Sequence, residues 1–398
     1  MMSEGVVNSD FGKLKKAFIE AVVLLAFTKS RKKRWRNILR NMDLVGDFKS
    51  FLQFILQERR GRVLYLELSD AHGEIAPGYI KYFQDLGCSV DVVMDSSVAR
   101  ENPLYCIDGV RFFSTNPVLA PLLLRAIRKS DYQIIFVGTN ELYQYKRRFF
   151  CDVYRSFCEE HPSKMLIVEH DLKNIEKSFY LASLYKNRRL VVIRNFSDDP
   201  LLSEVNPHFF GCFESDARST EDMTTFVVAG GLGLERRNPA LLVEGVRYLL
   251  GKGIDDFRVV VVGSGRPDGF PDDVAAKVLW MGRLDYPKLY ETVRSSSFFL
   301  PLLDPDMQEH HKYRTSVSSG SIQLIYGCLI IPVISRVFAV AYGFSEETCV
   351  VYDGNEIGMA MERAIKLSDD ERRALTACLE DLKGNVVKKS SSCVRAFL

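Results

Sequence analysis

His72 and Glu74 stand on either side of Gly73 in the stretch LSDAHGEIAPGYIKYF, residues 68–83. An imidazole and a carboxylate so placed are groups that can take a proton from a hydroxyl. The glycine between them lets the backbone turn sharply. The plain alternative is a polar pair on a loop surface. A second candidate lies in GGLGLERRNPALL, residues 230–242. Gly231-x-Gly233 begins a dinucleotide fingerprint, but the third glycine is missing. GSGRPDG, residues 263–269, fails in the same way at Asp268. A nicotinamide or flavin site is therefore set aside. Arg236 and Arg237 precede Asn238-Pro239, and proline suits a first helical position. Two guanidinium groups then stand where a helix N-terminus meets an anion, an arrangement that holds pyrophosphates. The alternative is a capped helix with two solvated arginines.

Other chemistry is spread along the chain. Ser318, Ser319, Gly320 and Ser321 open a helix, as a phosphate cradle or as a simple N-cap. LDPDMQEHHKYRTS, residues 303–316, mixes Asp304, Asp306, Glu309, His310 and His311. Adjacent loop residues make poor metal geometry, so no metal is expected there. The segment reads instead as a polar loop over a ligand, with Lys312, Tyr313 and Arg314 as contacts. His170 ends a strand beside Glu169, either reaching a cleft or packing. His208 is expected to cap a turn between domains.

The elements that must position these residues are short β-branched runs alternating with helical patterns. RVLYLEL, SVDVVMD, VRFFS, YQIIFVG, KMLIVEH and RLVVIRN form a first series. After an irregular polar stretch the pattern restarts with FVVAGGL, RVVVVGSG, KVLWMG, FFLPLLD, LIIPVIS and CVVYD. Buried parallel strands of two α/β layer domains follow from this texture. Residues 61–205 and 225–385 are the expected domains, joined by a linker at 206–224. Residues 386–398 read as a polar, mobile tail. Doubly wound sheets bind ligands beyond the carboxyl ends of their strands, which is where the loops above fall.

In order and spacing, residues 226–354 resemble the nucleotide-sugar-binding half of GT-B glycosyltransferases. The resemblance is carried by GGLGLERRNPALLVEGV, RVVVVGSG, WMGRLDYPKLYETVRSS, FFLPLL and SSGSIQLIYGCLIIPVIS. It implies two Rossmann-like domains facing across a cleft, with an extra helical segment at the N-terminus. It further implies a nucleotide diphosphate sugar as donor substrate and a glycan or lipid-linked acceptor. No cofactor or bound metal is implied. Arg237, helped by Arg236 and with Gly233 before it, would hold the donor diphosphate. Gly263 and Ser264 would admit the donor, and Arg283 to Tyr286 would lie by the nucleobase. Tyr313 and Ser318–Ser321 would complete the donor site. His72 or Glu74 would supply the base, with Gly73, His170 and Glu309 along the cleft. The paired glutamates of the family 4-like branch are absent: their positions fall near Arg314 and Ile322. That branch's ribose contact and retaining mechanism therefore do not transfer. A sugar-nucleotide epimerase on the same fold and a non-catalytic binding partner are the competing readings.

Composition narrows the setting. The chain has 398 residues and a net charge of +2. Residues 1–60 hold thirteen Lys/Arg and six Asp/Glu, a local +7 against −5 for the remainder. Residues 11–28 and 44–58 look amphipathic, the second repeating Leu44, Phe48, Phe51, Leu52 and Ile55 at helical spacing. Between them runs KSRKKRWRNILR, residues 29–40. It is either a solvated face packed on the body or a surface for anionic headgroups, with residues 11–58 at a membrane and no role for nucleic acid. The apolar residues 17–27 are interrupted by Glu20 and followed by a basic run, unlike a signal peptide. Nine cysteines without a C-x-x-C pair suit reduced thiols. A cytoplasmic protein, peripheral on the inner face of a membrane, is the resulting expectation.

Overall fold

A computed structural model describes residues 43–140, 148–160, 162–177, 179–207, 223–233, 235–263 and 266–398. Residues 11–28, the basic run 29–40, His208 and Ser264 lie outside the described residues.

Two all-parallel sheets dominate. The first holds β1 (Val63–Glu67), β2 (Val90–Asp95), β3 (Arg111–Thr115), β4 (Ile134–Val137), β5 (Met165–Val168), β6 (Leu190–Val192) and β7 (Ser203–Glu204). Its order is β3-β2-β1-β4-β5-β6-β7. The second holds β8 (Thr224–Ala229), β9 (Phe257–Val262), β10 (Val278–Gly282), β11 (Phe298–Phe299), β12 (Ile331–Ser335) and β13 (Val350–Tyr352). Its order is β10-β9-β8-β11-β12-β13. Each sheet reverses direction beside its first strand, between β1 and β4 and between β8 and β11. Crevices open at those points. Every residue of β1, β2, β4, β5 and β6 is buried. That is why these runs read as continuously apolar rather than alternating. All the expected strands form; only the two-residue β7 is new.

The two halves share one apolar core. A single cluster joins Tyr65, Tyr79 and Phe136 of the first sheet to Val227, Phe299, Ile325 and Tyr342 of the second. Polar ties reinforce it. Leu172 N donates to Ser316 O at 3.1 Å, and Tyr286 N donates to Glu101 O at 3.2 Å.

The C-terminus corrects the expectation of a mobile tail. The helix Asp369–Arg395 runs straight through residues 386–395, started by a capping box between Ser368 and Glu371. It returns to the first domain: Asn206 N donates to Ser390 Oγ at 3.0 Å, and Lys389 pairs with Glu204 at 3.4 Å. Leu379, Ser390 and Val394 are buried, with Leu382, Val386, Val387, Cys393 and Phe397 packed on the core. Small residues at apolar positions disguise this stripe, so composition alone reads it as polar.

The helix Leu44–Leu56 forms as expected, but with another face inward. Asp47 and Phe54 are buried, while Phe48, Leu52 and Ile55 are exposed. Asp47 is the reason. Its carboxylate accepts from Ser96 Oγ (2.8 Å), Ser114 Oγ (2.6 Å) and Asn116 Nδ2 (2.8 Å). Phe54 meets Phe113 edge-on at 5.2 Å. A buried carboxylate with these partners costs too much to turn toward solvent, so it sets the rotation of the helix.

Candidate active site

Three adjacent strands of the first sheet deliver the proton-handling groups. The chain leaves β1 at Glu67 and reaches His72 in a left-handed conformation, φ 63° and ψ 24°. That backbone is uncommon for histidine and costs roughly 1 kcal/mol or more, a strain found at functional loops. His72 Nδ1 lies 3.2 Å from Glu74 Oε1. Its ring stacks on His170, from the loop after β5, with centroids 4.6 Å apart and planes 16° apart. His170 Nε2 reaches Gly138 O, after β4, at 3.4 Å. Gly73 permits the close approach: a Cβ there would sit 2.3 Å from Val98 Cγ1 and 3.3 Å from Tyr286 Oη.

The second domain closes this pair. Tyr286, first residue of the helix Tyr286–Arg294, donates to Glu74 Oε2 at 3.1 Å. Gly320, which opens the helix Gly320–Cys328, would place an added Cβ 3.8 Å from Glu74 Oε1. Glu74 thus holds His72 with one oxygen and Tyr286 with the other. Burial pushes its carboxyl up, but the hydrogen bonds from His72 and Tyr286 outweigh burial and hold it below the ordinary value. It stays ionised and holds the imidazole at Nδ1.

Tyr286 is a positioning residue in this arrangement. If His72 serves as a base in sugar transfer, Tyr286→Phe is expected to lower kcat about tenfold, leave the donor KM within about twofold, and move the acid limb of the pH–rate profile to higher pH, because the lost hydrogen bond raises the Glu74 carboxyl. A rise in donor KM with unchanged kcat would return Tyr286 to a nucleobase contact.

Two buried groups beneath the loop titrate abnormally. Burial raises the Glu67 carboxyl to about 8, although Thr139 Oγ1 and Ser69 N donate to it at 2.9 and 3.0 Å. Burial, then the neighbouring His72, lowers His170 to about 3. Their linkage has opposite signs. Folded Glu67 keeps a proton that the unfolded chain has lost, so its contribution falls as pH rises from about 4.5 to 8. Folded His170 refuses a proton that the unfolded chain takes, so its contribution falls as pH drops from 6.5 toward 3. The two cancel between about 4.5 and 6.5. Thermal unfolding across pH 4–9 is expected to show a Tm loss above that window. Glu67→Gln should remove it; an unchanged alkaline slope in that variant would contradict the assignment.

The anion side is built at the β8 crevice. Arg236 N and Arg237 N both donate to Gly233 O at 2.8 Å, forming the turn. Asn238 caps the helix Pro239–Gly251 through Ala240 N, and its Nδ2 donates to Asp304 Oδ2 at 2.6 Å. These bonds turn Arg237 inward. Its side chain is buried at 7% exposure. The guanidinium lies against Gly230, where a Cβ would meet Nη1 at 2.4 Å. Gly263, at φ 150°, abuts the same backbone, with an added Cβ 2.4 Å from Gly230 C. Arg237 Nη1 makes one long bond to Gly231 O, 3.5 Å, and Nε has no partner. Burial, with Arg236 adding to it, lowers the guanidinium to about 10, and Tyr313 opposes them. Among the described residues no carboxylate pairs with Arg237. A buried, underbonded cation of this kind is costly until an anion reaches it.

The other expected residues divide. Ser319 is buried, with N donating to Tyr342 Oη and Oγ bonded to Ser321 Oγ, each at 2.9 Å. No side chain caps the helix it precedes. Tyr313 raises the titration of both Arg237 and Tyr342. Arg236 and Gly233 are exposed on the turn. Arg283 is largely exposed and paired with Glu101 of the first domain. Glu309 is exposed. His310 Nδ1 accepts from Asp304 N at 2.9 Å and His311 Nε2 meets Pro305 O at 2.9 Å, so both shape the loop. Among the described residues no three His, Cys, Asp or Glu side chains gather as a metal site. Sequence reasoning passed over Glu67 and Gln323. Gln323 is fully buried with both amide atoms unpartnered, a polar residue in the apolar SIQLIYG helix.

Comparison with known structures follows this geometry. A glycosyltransferase from Rickettsia africae ESF-5 superposes with a TM-score of 0.56 at 12% identity, covering 85% of this chain and 98% of that one. An alpha-glucosyltransferase in complex with UDP and a 13-mer DNA containing a HMU base gives 0.53 at 12% identity, covering 84% and 94%. The fold is GT-B. No protein-family profile matches the chain. No curated protein sequence matches it either. The expected architecture of two Rossmann-like domains is therefore observed. Among the described residues no helix is long and apolar enough to cross a membrane.

Proposed function

We propose that this GT-B protein transfers a sugar from a nucleotide diphosphate donor to a hydroxyl of a glycan or lipid-linked acceptor, in surface polysaccharide or glycolipid assembly. The observation that carries the reading is Arg237, a buried guanidinium at the β8 crevice with no acidic partner among the described residues. A diphosphate supplies the missing charge and acceptors. The helix Gly320–Cys328 begins without a side-chain cap, and in this reading its backbone N–H groups would meet the same anion.

The step is a displacement at the sugar's anomeric carbon. The acceptor oxygen forms its bond to that carbon as the carbon–oxygen bond to the diphosphate breaks. The hydroxyl proton passes to His72 Nε2, and Glu74 stabilises the imidazolium. The electron pair of the broken bond leaves with the diphosphate, whose charge falls to Arg237 and the helix N-terminus. This chemistry requires no metal or cofactor, and a base on the acceptor side suits inversion. Closure of the two domains around the donor would exclude water that otherwise hydrolyses it.

A thermal-shift screen of uridine, guanosine, adenosine and thymidine diphosphates and their hexose conjugates tests the reading. At least one should raise Tm by several degrees at saturation. If none does, glycosyl transfer is refuted for this cleft. An epimerase would interconvert the free donor sugar without acceptor, which product analysis separates from transfer.

A further inference from the structure

His170 carries one nitrogen that its place in the fold does not use. The residue follows β5 and is only partly buried. Its Nε2 lies 3.4 Å from Gly138 O, just past the end of β4. A carbonyl oxygen can only accept, so Nε2 holds the proton and Nδ1 the lone pair. The ring is stacked on His72, with centroids 4.6 Å apart and planes 16° apart. Among the described residues nothing donates to Nδ1.

The surroundings hold this state. Burial, then the neighbouring His72, lowers the His170 titration to about 3, so near neutral pH the ring is uncharged and Nδ1 accepts. The backbone on either side is anchored. Glu169 accepts from Asp171 N and from Asn174 Nδ2, each at 3.0 Å. Leu172 N donates to Ser316 O of the second domain at 3.1 Å, and Asp171 forms an antiparallel bridge with Val317. A lone pair held on so rigid a support is a preformed contact for a hydrogen-bond donor, because little ordering remains to be done on binding.

His72 indicates which donor. In the proposed transfer it takes the proton of the reacting hydroxyl. Two nearly parallel rings 4.6 Å apart can be touched by one small molecule. A sugar ring carries hydroxyls on neighbouring carbons, at a spacing that serves both. We infer that His170 reads a second acceptor hydroxyl, vicinal to the one that reacts, so that the acceptor is a sugar presenting a neutral diol and not a lone alcohol. Nδ1 has no proton to offer. A carboxylate or phosphate beside the reacting oxygen would face a lone pair and be disfavoured. The inference deepens the proposed function and rests on it for the reacting hydroxyl.

Acceptor kinetics with the full chain test this. The probes are the octyl glycosides of glucose, galactose, mannose and N-acetylglucosamine, their monodeoxy analogues, and octanol. The donor is the nucleotide sugar that raises Tm. At least one glycoside should exceed octanol in kcat/KM by about tenfold or more, and removing the hydroxyl next to the transfer position should cost about tenfold. Two variants separate the ring nitrogens. His170→Gln sets an amide near Nε2 and nothing at Nδ1, so it should bring the parent glycoside to within about twofold of its deoxy analogue. His170→Asn sets an amide oxygen near Nδ1 and should keep a preference of about threefold or more. Donor KM should stay within about twofold in both. Any of four results overturns the inference. The wild type treats octanol or the deoxy analogue as well as the parent. His170→Gln keeps the full discrimination. His170→Gln slows parent and deoxy analogue equally, as a purely structural residue would. Or the protein binds the donor yet transfers to none of the glycosides. A chain that no nucleotide stabilises fails earlier, at the proposed function, and the inference falls with it.

Discussion

Arg237→Met is expected to weaken nucleotide diphosphate binding by roughly 100-fold or more, while the nucleotide-free protein unfolds at the same temperature or higher. The two halves of this result come from one fact. The guanidinium is buried with a single 3.5 Å bond and an orphaned Nε. Charge-assisted hydrogen bonds to a phosphate contribute about 1.5–3 kcal/mol each, and arginine makes two at once. Without ligand the same charge is a desolvation cost, so methionine, similar in length and apolar, relieves it. Isothermal titration with the stabilising nucleotide and a lipid-free melting curve check both halves. A structural arginine would behave in the opposite way: Arg237→Met would lose Tm and leave nucleotide affinity unchanged. Gly230→Ala probes the same contact from the other side, because its methyl would occupy the place of Nη1.

His72→Asn should lower kcat by about 10²–10⁴ with donor affinity unchanged. Asparagine is the useful replacement because it tolerates the left-handed backbone that His72 adopts at φ 63°. The loss then reports the missing imidazole and not a disrupted loop. Glu74→Gln should give a smaller loss, since the amide retains a contact but not the charge that stabilises an imidazolium. Single-turnover kinetics with a nucleotide-sugar donor read both. Unchanged turnover in His72→Asn would move the base elsewhere in the cleft. The stacked His170 is not an equal alternative: its ring is held neutral well below neutrality by burial and has one nitrogen on Gly138 O.

Some of this site is local and some is not. Gly-turn-Arg-Arg-Asn-Pro is local: Asn238 caps its own helix, and proline sits at its first position. Those features are visible in a short window. Whether an arginine on that turn points to water or inward is not. Arg236 and Arg237 are neighbours with the same side chain, yet one is exposed and the other buried. The difference is made by Gly230 and Gly263, which let the guanidinium and a second strand end close on one place, and by Asp304, which anchors Asn238 from β11's loop. Arg283 shows the converse. Its place in the motif order gives no hint of a partner, yet domain packing brings Glu101 to it. The same packing takes Tyr286 to Glu74.

The amphipathic segments make the point in energetic terms. In Leu44–Leu56 the spacing of apolar residues identifies a helix but not its buried side. A single buried carboxylate with three donors outweighs several partly exposed aliphatic contacts. At the C-terminus, Ser390 and Cys393 look like breaks in an apolar pattern, yet a close interdomain contact favours small residues there.

What the amino-acid order determined by itself was the alternation of buried parallel strands with helices, the two-sheet division, and the loops at the strand ends. Each of these follows from interactions within a few residues: β-branched runs, caps, prolines and glycines. What only the tertiary structure decided was which of those loop residues meet. The His72–Glu74–Tyr286 chain and the burial of Arg237 beside Gly230 and Gly263 both depend on contacts between segments far apart in sequence. Burial and pairing are properties of the assembled domains, and no local window contains them.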